Sequence, residues 1–241
     1  MNEIVNEIIR KRKSIRKYDL TPVDAAVLEN VKAQIEKATP LYPDIRYSIE
    51  IANETKGMFN NVKAPHYLVF SSEEKDGSYE NIGFIGQQLD LYFSESGLGS
   101  CWLGTAKPTE KEASALPHVI SMSFGKPAEP LHRAFSEFKR KALVEISEGI
   151  DKRLEAARLA PSAVNAQNWY FVAENGKIHC YRKISTSLLR FIYNKLHCID
   201  MGIALCHIAL ESDDFVFAKE ANVPVRNGYV YIGTVGAIMA R

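Results

Sequence analysis

The sequence of 241 residues predicts an α+β protein. Segments with apolar side chains at positions i, i+3 and i+4 predict helices, and short β-branched and aromatic runs predict strands. The order of these segments after residue 147 repeats their order in the first half. Apolar residues make up 46% and charged residues 24% of the chain. This composition is ordinary for a folded chain long enough to bury a core.

The first half opens with an amphipathic segment, residues 1–12, which predicts a helix. It runs into the stretch 10–17, where six Lys and Arg residues stand without an acidic residue. Thr21 is a suitable N-cap with Pro22 at the first helical position, so a second helix is predicted as far as Ala38. The remaining predictions here are strands at 47–51 and 66–70, a helix at 82–96, and strands at 100–103 and 119–124.

The second half is predicted to start again with a helix over 151–159, which Pro161 ends. The pair Asn175-Gly176 predicts a type I′ turn that joins two strands into a hairpin. The strands of this half are predicted at 169–173, 178–181, 215–217 and 229–235, and a long helix at 196–211.

Two copies of one α+β unit would explain the repeated order, with residues 1–146 as the first copy and 147–241 as the second. The alternative is one α+β domain without internal symmetry. Because no linker rich in Ser, Gly or Pro divides the halves, a single packed body is expected.

Charge and hydropathy exclude several classes of protein. Lys and Arg total 30 against 29 Asp and Glu, so no overall field attracts nucleic acid or an anionic membrane. No apolar stretch reaches the ~20 residues of a membrane span. The N-terminus has no secretory pattern, and a cytoplasmic location is expected.

The four cysteines form no CxxC pair and are expected to be free thiols. They are Cys101, Cys180, Cys198 and Cys206. His197 and His207 stand beside two of them on one predicted helix, but the spacing is too long for a single tetrahedral ion. No metal site is expected.

Arg12, Ser14 and Arg16 form the first candidate site. In extended or turn geometry these alternate residues point the same way, so two guanidinium groups and one hydroxyl can converge on a phosphate. The basic cluster at 139–141 offers further donors. The alternatives are a solvated basic surface or a kinase recognition pattern.

The second candidate is the loop of residues 160–168, which carries Ser and amide side chains between a helix and an aromatic strand. Amide groups can donate and accept hydrogen bonds in the plane of a heterocycle. The alternative is a capped loop whose Asn and Gln side chains bind backbone groups.

The third candidate is the Gly-Leu-Gly-Ser-Cys-Trp-Leu-Gly segment, residues 97–104. Glycines there would let the backbone approach a flat ring closely. The segment does not match GxGxxG, so it does not predict a Rossmann dinucleotide site. The alternative is a helix C-cap followed by a buried strand.

Together the three segments resemble the nitroreductase family of FMN-dependent oxidoreductases, and in particular its fused-repeat TM nitroreductase branch. The matching motifs are Arg-x-Ser-x-Arg at 12–16 and Pro-Ser-x-x-Asn-x-Gln-x-Trp at 161–169, where Asn168 replaces the family's second Pro. The resemblance implies a mixed, mainly antiparallel sheet flanked by helices, with two internal repeats that form a pseudo-dimer.

One departure from the family pattern concerns the spacing of these motifs. Family members place the Pro-Ser loop a few tens of residues after the Arg element, whereas Arg16 and Pro161 lie 145 positions apart. In the family, two identical subunits share each flavin. The resemblance therefore implies that the first half supplies the phosphate clamp and the second half the loop, with one FMN per chain and a mirror-image site that has lost both motifs.

The resemblance also implies a role for each matching residue. The FMN phosphate would bind Arg12, Ser14, Arg16, Lys139 and Arg140. The ring would bind Pro161, Ser162, Asn165 and Gln167, with the backbone of Trp102, Leu103 and Gly104 near N5. Lys56 resembles a family lysine near N1 and O2, although a solvated surface lysine is an equal alternative.

The expected activity is ping-pong hydride transfer from NADH or NADPH, through flavin N5, to a nitroaromatic, a quinone or a similar electrophile. No side chain is expected to act as a catalytic acid, base or nucleophile. The expected partner is a small-molecule electron acceptor, with no nucleic acid and no membrane. The chain could act as a monomeric pseudo-dimer or assemble further. The alternatives are a non-catalytic flavin carrier or sensor, or a partner-binding module without a cofactor.

Overall fold

The structure is a computed structural model that describes residues 7–57, 62–109 and 114–236. The helices with both ends in these ranges are α1 (Ala25–Lys37), α2 (Ser78–Glu95), α3 (Leu143–Ile146), α4 (Leu154–Leu159) and α5 (Arg190–Leu210). The strands are β1 (Tyr47–Ala52), β2 (Thr55–Lys56), β3 (His66–Ser72), β4 (Gly99–Leu103), β5 (Lys107–Pro108), β6 (His118–Gly125), β7 (Ser147–Glu148), β8 (Trp169–Glu174), β9 (Lys177–Lys183), β10 (Phe217–Ala218) and β11 (Tyr229–Val235).

The strands form two larger sheets with the same internal order. The first sheet has the order β1-β3-β6-β4, and the second has the order β8-β9-β11-β10 with β7 added beside β8. Neighbouring strands are antiparallel, except that β7 and β8 run parallel. A separate two-stranded sheet joins β2 to β5. The α+β class predicted from the sequence is confirmed.

The two long helices, α2 and α5, cross at a point where each carries a glycine. A Cβ atom on Gly83 would lie 2.1 Å from the carbonyl oxygen of Ile199, and one on Gly202 would lie 1.9 Å from that of Glu80. The contacts are reciprocal, because each glycine faces the residue three positions before the other glycine. The helix backbones therefore touch, which side chains larger than hydrogen would prevent.

Several predicted helix starts were wrong. The helix predicted to follow Thr21 begins only at Ala25. Asp19 Oδ1 accepts a hydrogen bond from the N–H of Thr21 at 2.9 Å, and His66 Nε2 accepts one from the N–H of Val23 at 3.2 Å. These two bonds hold the chain in a turn before the helix, so the predicted N-cap is not used as one.

Both long helices begin earlier than predicted, at Ser78 rather than 82 and at Arg190 rather than 196. Their buried apolar faces determined the predictions, whereas the first turn of α2 is polar and that of α5 is largely exposed. Conversely, α4 begins at Leu154 rather than 151, because Asp151 Oδ1 binds the N–H of Arg153 at 2.9 Å.

The N-terminal helix was predicted over 1–12. Residues 1–6 lie outside the described residues, residues 7–9 are helical, and the helix has ended before Arg12, which forms an isolated bridge with His132. The last strand but one is shorter than predicted, at Phe217–Ala218. The short elements β2, β5, β7 and α3 had no clear sequence signal.

Two local predictions are confirmed. Asn175 and Gly176 both have positive φ, 51° and 76°, as a type I′ turn between β8 and β9 requires. The four cysteines are free thiols. Within the described ranges, no helix has the length and hydropathy to cross a membrane.

Candidate functional site

A cleft lies where residues 14–16 of the first half face residues 161–164 of the second. It has an inner part with a mainly apolar lining and an outer part with a basic lining. Both parts are lined by Ser14, Arg16, Pro161, Ser162 and Val164. The two parts are therefore one continuous space that could take a molecule with an anionic end and a flat apolar end.

The buried side chain of Ile15 positions the residues on either side of it. The Ile15 N–H donates to the Ser100 carbonyl of β4 at 2.8 Å, and the Tyr18 hydroxyl donates to the Ile15 carbonyl at 2.8 Å. With Ile15 pointing into the protein, Ser14 and Arg16 face the cleft. A Cβ atom on Gly99 would lie 2.7 Å from the Ile15 side chain, so this glycine makes room for Ile15.

Arg12 also lines the basic part, but a buried carboxylate holds it from behind. Its Nε atom lies 2.9 Å from Asp90 Oδ2 without an N–H directed at that oxygen, and its Nη2 donates to Ser14 Oγ at 3.3 Å. Asp90 accepts two hydrogen bonds, from Ser100 Oγ at 2.6 Å and from Gln87 Nε2 at 2.9 Å. Arg12 is therefore fixed in place as well as charged.

The second-half loop has an unusual backbone. Val164, Asn165 and Gln167 have φ values of 47°, 58° and 48°, in the left-handed region that favours glycine. Ser162 Oγ accepts a hydrogen bond from the N–H of Gln167 at 3.0 Å, which closes the loop. Backbone strain of this kind persists where the surrounding structure holds it and is frequent at functional sites.

The amides of this loop bind the basic segment 139–141. Asn165 Oδ1 accepts a hydrogen bond from Arg140 Nη1, and Asn165 Nδ2 donates to the Lys139 carbonyl at 2.7 Å. Gln167 Oε1 accepts one from the Lys141 N–H at 2.8 Å. The loop thus positions the basic segment, which matches the capped-loop alternative more closely than a role at a ring edge.

The outer part of the cleft is strongly cationic. Arg12, Arg16 and Lys139 line it together with Arg133 and Arg140. Burial, and then the neighbouring guanidinium groups, lower the pKa of Arg140 to about 10, and the same two causes lower the pKa of Arg133. An anion bound here would relieve this repulsion.

One acidic residue, Glu137, lies among the described residues that line this part. The ring of Phe138 lies under the guanidinium carbons of Arg133, at 4.7 Å, and Arg140, at 5.4 Å. The aromatic ring helps to hold these two cations side by side.

The inner part of the cleft is formed by the end of β4 and one face of α5. Trp102 stacks on Phe70 with ring centroids 5.6 Å apart. Leu196 packs closely against Gly104, since a Cβ atom on that glycine would lie 3.2 Å from the Leu196 side chain. Ile120, Ile199 and Ile203 complete the apolar wall. Such a wall suits a flat conjugated ring.

Three of the predicted site residues do not line the cleft. Leu103 is buried beside Tyr67 in a separate apolar cluster. Lys56 is exposed in β2, opposite Lys107 of β5. Gln167 is buried, with its amide bound to the protein itself.

Sequence reasoning missed three ionisable residues of the cleft, Arg133, Glu137 and Asp200. Arg133 lies in an irregular segment without a pattern that would mark it. Asp200 is the only Asp, Glu, Lys or Arg between Lys195 and Glu211, in an otherwise nearly apolar helix. That isolation was an available signal, because an Asp residue is rarely buried in a helix unless it is paired.

Comparison with solved structures first defines the class of fold. The chain is similar to the crystal structure of a protein described as a putative nitroreductase from Thermotoga maritima MSB8. The TM-score is 0.64 and the identity 20%, over 98% of this chain and 92% of that chain. The likeness shows a nitroreductase-like α+β fold.

Two further solved structures are similar to about half of this chain. An FMN-dependent nitroreductase from Clostridium difficile R20291 matches with 18% identity and a TM-score of 0.44, over 55% of this chain and 93% of that chain. A nitroreductase family protein from Clostridium difficile 630 matches with 17% identity and a TM-score of 0.46, over 60% and 96%.

The family follows from the sequence. The model of the family named "Putative TM nitroreductase" matches residues 4–212, which is more than half of the chain. The chain therefore belongs to that family. No curated protein sequence matches it.

Proposed function

We propose that this protein is an FMN-dependent NAD(P)H oxidoreductase of nitroreductase type that reduces a nitroaromatic, a quinone or a similar small electrophile. The observation that carries the proposal is the continuous cleft, basic at its outer end and apolar at its inner end. FMN has a phosphate at one end and a flat ring at the other. Family membership supports an oxidoreductase.

The cationic end of the cleft fits the phosphate. Burial, and then the neighbouring guanidinium groups, lower the pKa values of Arg133 and Arg140, and Glu137 is the one acidic residue among the described residues of this lining. The residues that would hold the phosphate are Arg12, Ser14, Arg16, Arg133, Lys139 and Arg140. Phosphate and guanidinium groups form strong, charge-assisted hydrogen bonds.

The apolar end fits a flat ring, with Trp102 and Gly104 on one side and α5 on the other. The chemistry that FMN supplies when bound is hydride transfer from reduced nicotinamide to an electron-poor acceptor. The side chains of Leu196, Ile199 and Ile203 would exclude water from this end. The protein's contribution is binding, orientation and charge, with no nucleophile of its own.

We further propose that the chain is a fused pair of nitroreductase-like units, residues 1–146 and 147–241, packed as one pseudo-dimeric body. Three features support the duplication. The strand orders of the two sheets agree, the glycines at the α2–α5 crossing are reciprocal, and α2 and α5 occupy the same place in each half. A fused pair would have no need of a second subunit to complete the cleft.

One FMN per chain follows from this proposal. In the first half, the segment that corresponds to the Pro-Ser loop reads Thr39-Pro40-Leu41-Tyr42-Pro43, without Ser, Asn or Gln. The mirror-image position therefore lacks the residues that shape the cleft on this side. Sedimentation velocity is expected to show a monomer that binds one flavin.

The function is tested by titrating the purified apoprotein with FMN and with riboflavin, which lacks the phosphate. We expect saturation at one FMN per chain and much weaker binding of riboflavin. Anaerobic mixing of the holoprotein with NADH or NADPH should bleach the flavin absorbance at a catalytic rate. Binding without bleaching would favour a flavin carrier or sensor, and a failure to bind FMN would contradict the proposal altogether.

A further inference from the structure

Asp200 is a buried carboxyl group in the apolar part of the cleft. It lies on α5, is 3% exposed, and lines the cleft next to Ile199. Its Oδ1 accepts a hydrogen bond from the N–H of Ala163 at 2.8 Å. Its Oδ2 is buried, and among the described residues no group forms a hydrogen bond with it.

The carboxyl group is neutral at pH 7, because burial raises its pKa to about 8. With Oδ1 as the carbonyl acceptor for Ala163, the proton resides on Oδ2. The unpartnered oxygen is then a hydroxyl donor. A buried donor without an acceptor destabilises the protein. A bound ligand that supplied an acceptor atom would remove this unfavourable free energy.

The corresponding residue of the first half shows what a fully paired group looks like. Asn81 precedes Gly83 by two positions, as Asp200 precedes Gly202. Asn81 accepts from the N–H of Tyr42 at 2.9 Å through Oδ1 and donates to the Tyr42 carbonyl at 3.4 Å through Nδ2. Asp200 makes the equivalent of only the first contact, with the N–H of Ala163, and its second oxygen has no hydrogen-bond partner among the described residues.

We propose that Asp200 is a ligand-binding residue whose Oδ2 hydroxyl donates a hydrogen bond to a carbonyl oxygen, ring nitrogen or nitro oxygen of a flat conjugated molecule in the cleft. The proposal rests on the proposed function, since that function supplies two such molecules, the flavin ring and the electron acceptor. The flavin ring and the electron acceptor both present neutral acceptor atoms. The flavin binds to the apoprotein, whereas the electron acceptor binds to the holoprotein.

Ionisation of Asp200 would remove this donor and place a negative charge in the apolar part of the cleft. Binding should therefore weaken above pH 8. The other titratable groups that line this part, within the described residues, are Arg16 and Cys101, and burial raises the pKa of the Cys101 thiol. On α5 itself, burial likewise raises the pKa of the neighbouring Cys198.

Two substitutions separate donation from charge. Asp200→Asn keeps a donor in place of Oδ2 and cannot ionise, so its affinity should match the wild type at pH 7 and stay constant to pH 9, below the pKa of about 10 of Arg140. Asp200→Leu removes the donor and should weaken binding about 3- to 10-fold, the range for one neutral hydrogen bond. Asp213→Asn removes a charge from an exposed position and is the control.

Infrared difference spectroscopy supplies a readout that does not depend on activity. The wild-type apoprotein should show a protonated carboxylic acid band that Asp200→Asn lacks. If FMN is the ligand, the band shifts when FMN is added and the Asp200→Leu variant loses FMN affinity. If the electron acceptor is the ligand, the band of the holoprotein shifts when nitrobenzene is added, and nitrobenzene affinity falls.

A band that shifts with neither molecule, together with unchanged affinity of Asp200→Leu for both, would overturn the inference while leaving the proposed function intact. Failure of the wild type and of Asp200→Asn to bind FMN would instead overturn the proposed function, and the inference with it. A pH profile that weakens equally in Asp200→Asn would assign the pH effect to another group and also contradict the inference.

Discussion

Arg16 is a residue whose charge can be removed with little structural cost. Its side chain is exposed and lines both parts of the cleft, and its backbone N–H is bound by Glu129 Oε1 at 2.8 Å. Arg12, by contrast, is buried against Asp90, so its replacement would leave an unpaired buried carboxylate. Arg16 is therefore the cleaner probe of anion binding.

Arg16→Gln is expected to weaken FMN binding by about 1.5–3 kcal/mol, because one hydrogen bond to a charged phosphate is lost. Riboflavin affinity should not change, since riboflavin has no phosphate. Calorimetric titration with both flavins measures the difference, and Arg46→Gln, at an exposed ion pair with Glu73, is the control. Equal losses for both flavins would remove Arg16 from the phosphate site.

Val164 carries strain that can be measured. It is β-branched, has a φ of 47°, and is 87% exposed, so the side chain offers little packing in return. Its conformation costs on the order of 1–3 kcal/mol. The neighbouring hydrogen bonds, such as that from the Ala163 N–H to Asp200, hold the loop in this shape.

Val164→Asn is expected to raise the free energy of unfolding by about 1 kcal/mol, because Asn tolerates the left-handed region far better than Val. Denaturant unfolding provides the measurement. Val144→Asn is the matched control, since Val144 is also exposed and lies in the short helix α3. A loss of stability at position 164 alone would show that the valine side chain contributes there.

At the scale of secondary-structure elements, the crossing of α2 and α5 fixes the relation between the two halves. The crossing brings Gly83 and Gly202 against the backbone of the opposite helix. α5 also carries the inner wall of the cleft, and α2 carries Asp90, which holds Arg12. The crossing of these helices therefore relates the position of Arg12 to that of the inner wall of the cleft.

Gly83→Ala and Gly202→Ala are each expected to destabilise the protein by about 3 kcal/mol or more, since the new methyl group would overlap a backbone carbonyl. At an ordinary helix position this substitution stabilises by about 1 kcal/mol. At Gly97 φ is +80°, and an added Cβ would have no described atom within 4 Å apart from those of its chain neighbours, so Gly97→Ala measures backbone strain alone, about 1–2 kcal/mol. Thermal unfolding of the three variants gives the comparison.

At the scale of the whole molecule, a buried polar network joins the two halves. It runs from Arg12 to Asp90, to Gln87, and from Gln87 Nε2 to His207 Nε2 at 3.2 Å. His207 Nδ1 donates to the carbonyl of Ala156 at 2.9 Å. These bonds assign a neutral His207 with its proton on Nδ1, and burial lowers its pKa to about 3.

Acid is therefore expected to destabilise the fold. Below the ordinary histidine pKa of about 6.5, the unfolded chain binds a proton that folded His207 does not take up until about pH 3. Each pH unit in that window costs about 1.4 kcal/mol. Burial also lowers the pKa values of His66, His118, His132 and His197, which act in the same direction.

Unfolding free energies between pH 7.5 and 4.5 measure this effect in the wild type and in His207→Gln. The variant should start less stable at pH 7.5, because Gln fills the network imperfectly, yet lose less stability per pH unit. The difference in slope should be about 1.4 kcal/mol per unit. Parallel slopes would mean that His207 is protonated in the folded state.

Most elements could be predicted from local pattern. The strands 66–70 and 119–124 and the two long helices have strong apolar periodicity, and the Asn175-Gly176 turn is specified by two residues. Helix starts were less predictable, because they depend on distant groups such as His66, whose ring accepts the N–H of Val23.

The candidate site was predictable in part. The motifs at 12–16 and 161–169 carry their own signal, and the structure brings both to one cleft. Gln167 carries the same signal, but its amide binds the Lys141 backbone, a partner that lies 26 positions away. A motif identifies residue types and spacing, whereas the partner of each polar atom depends on the packing around it.

By itself the sequence determined the α+β class, the repeated order of elements and the two motifs, because each follows from short-range periodicity or adjacent residues. Only the tertiary structure decided that Arg133 and Asp200 line the cleft, and that one oxygen of Asp200 has no partner among the described residues. Burial and pairing are properties of atoms brought together from distant parts of the chain. No local pattern records them.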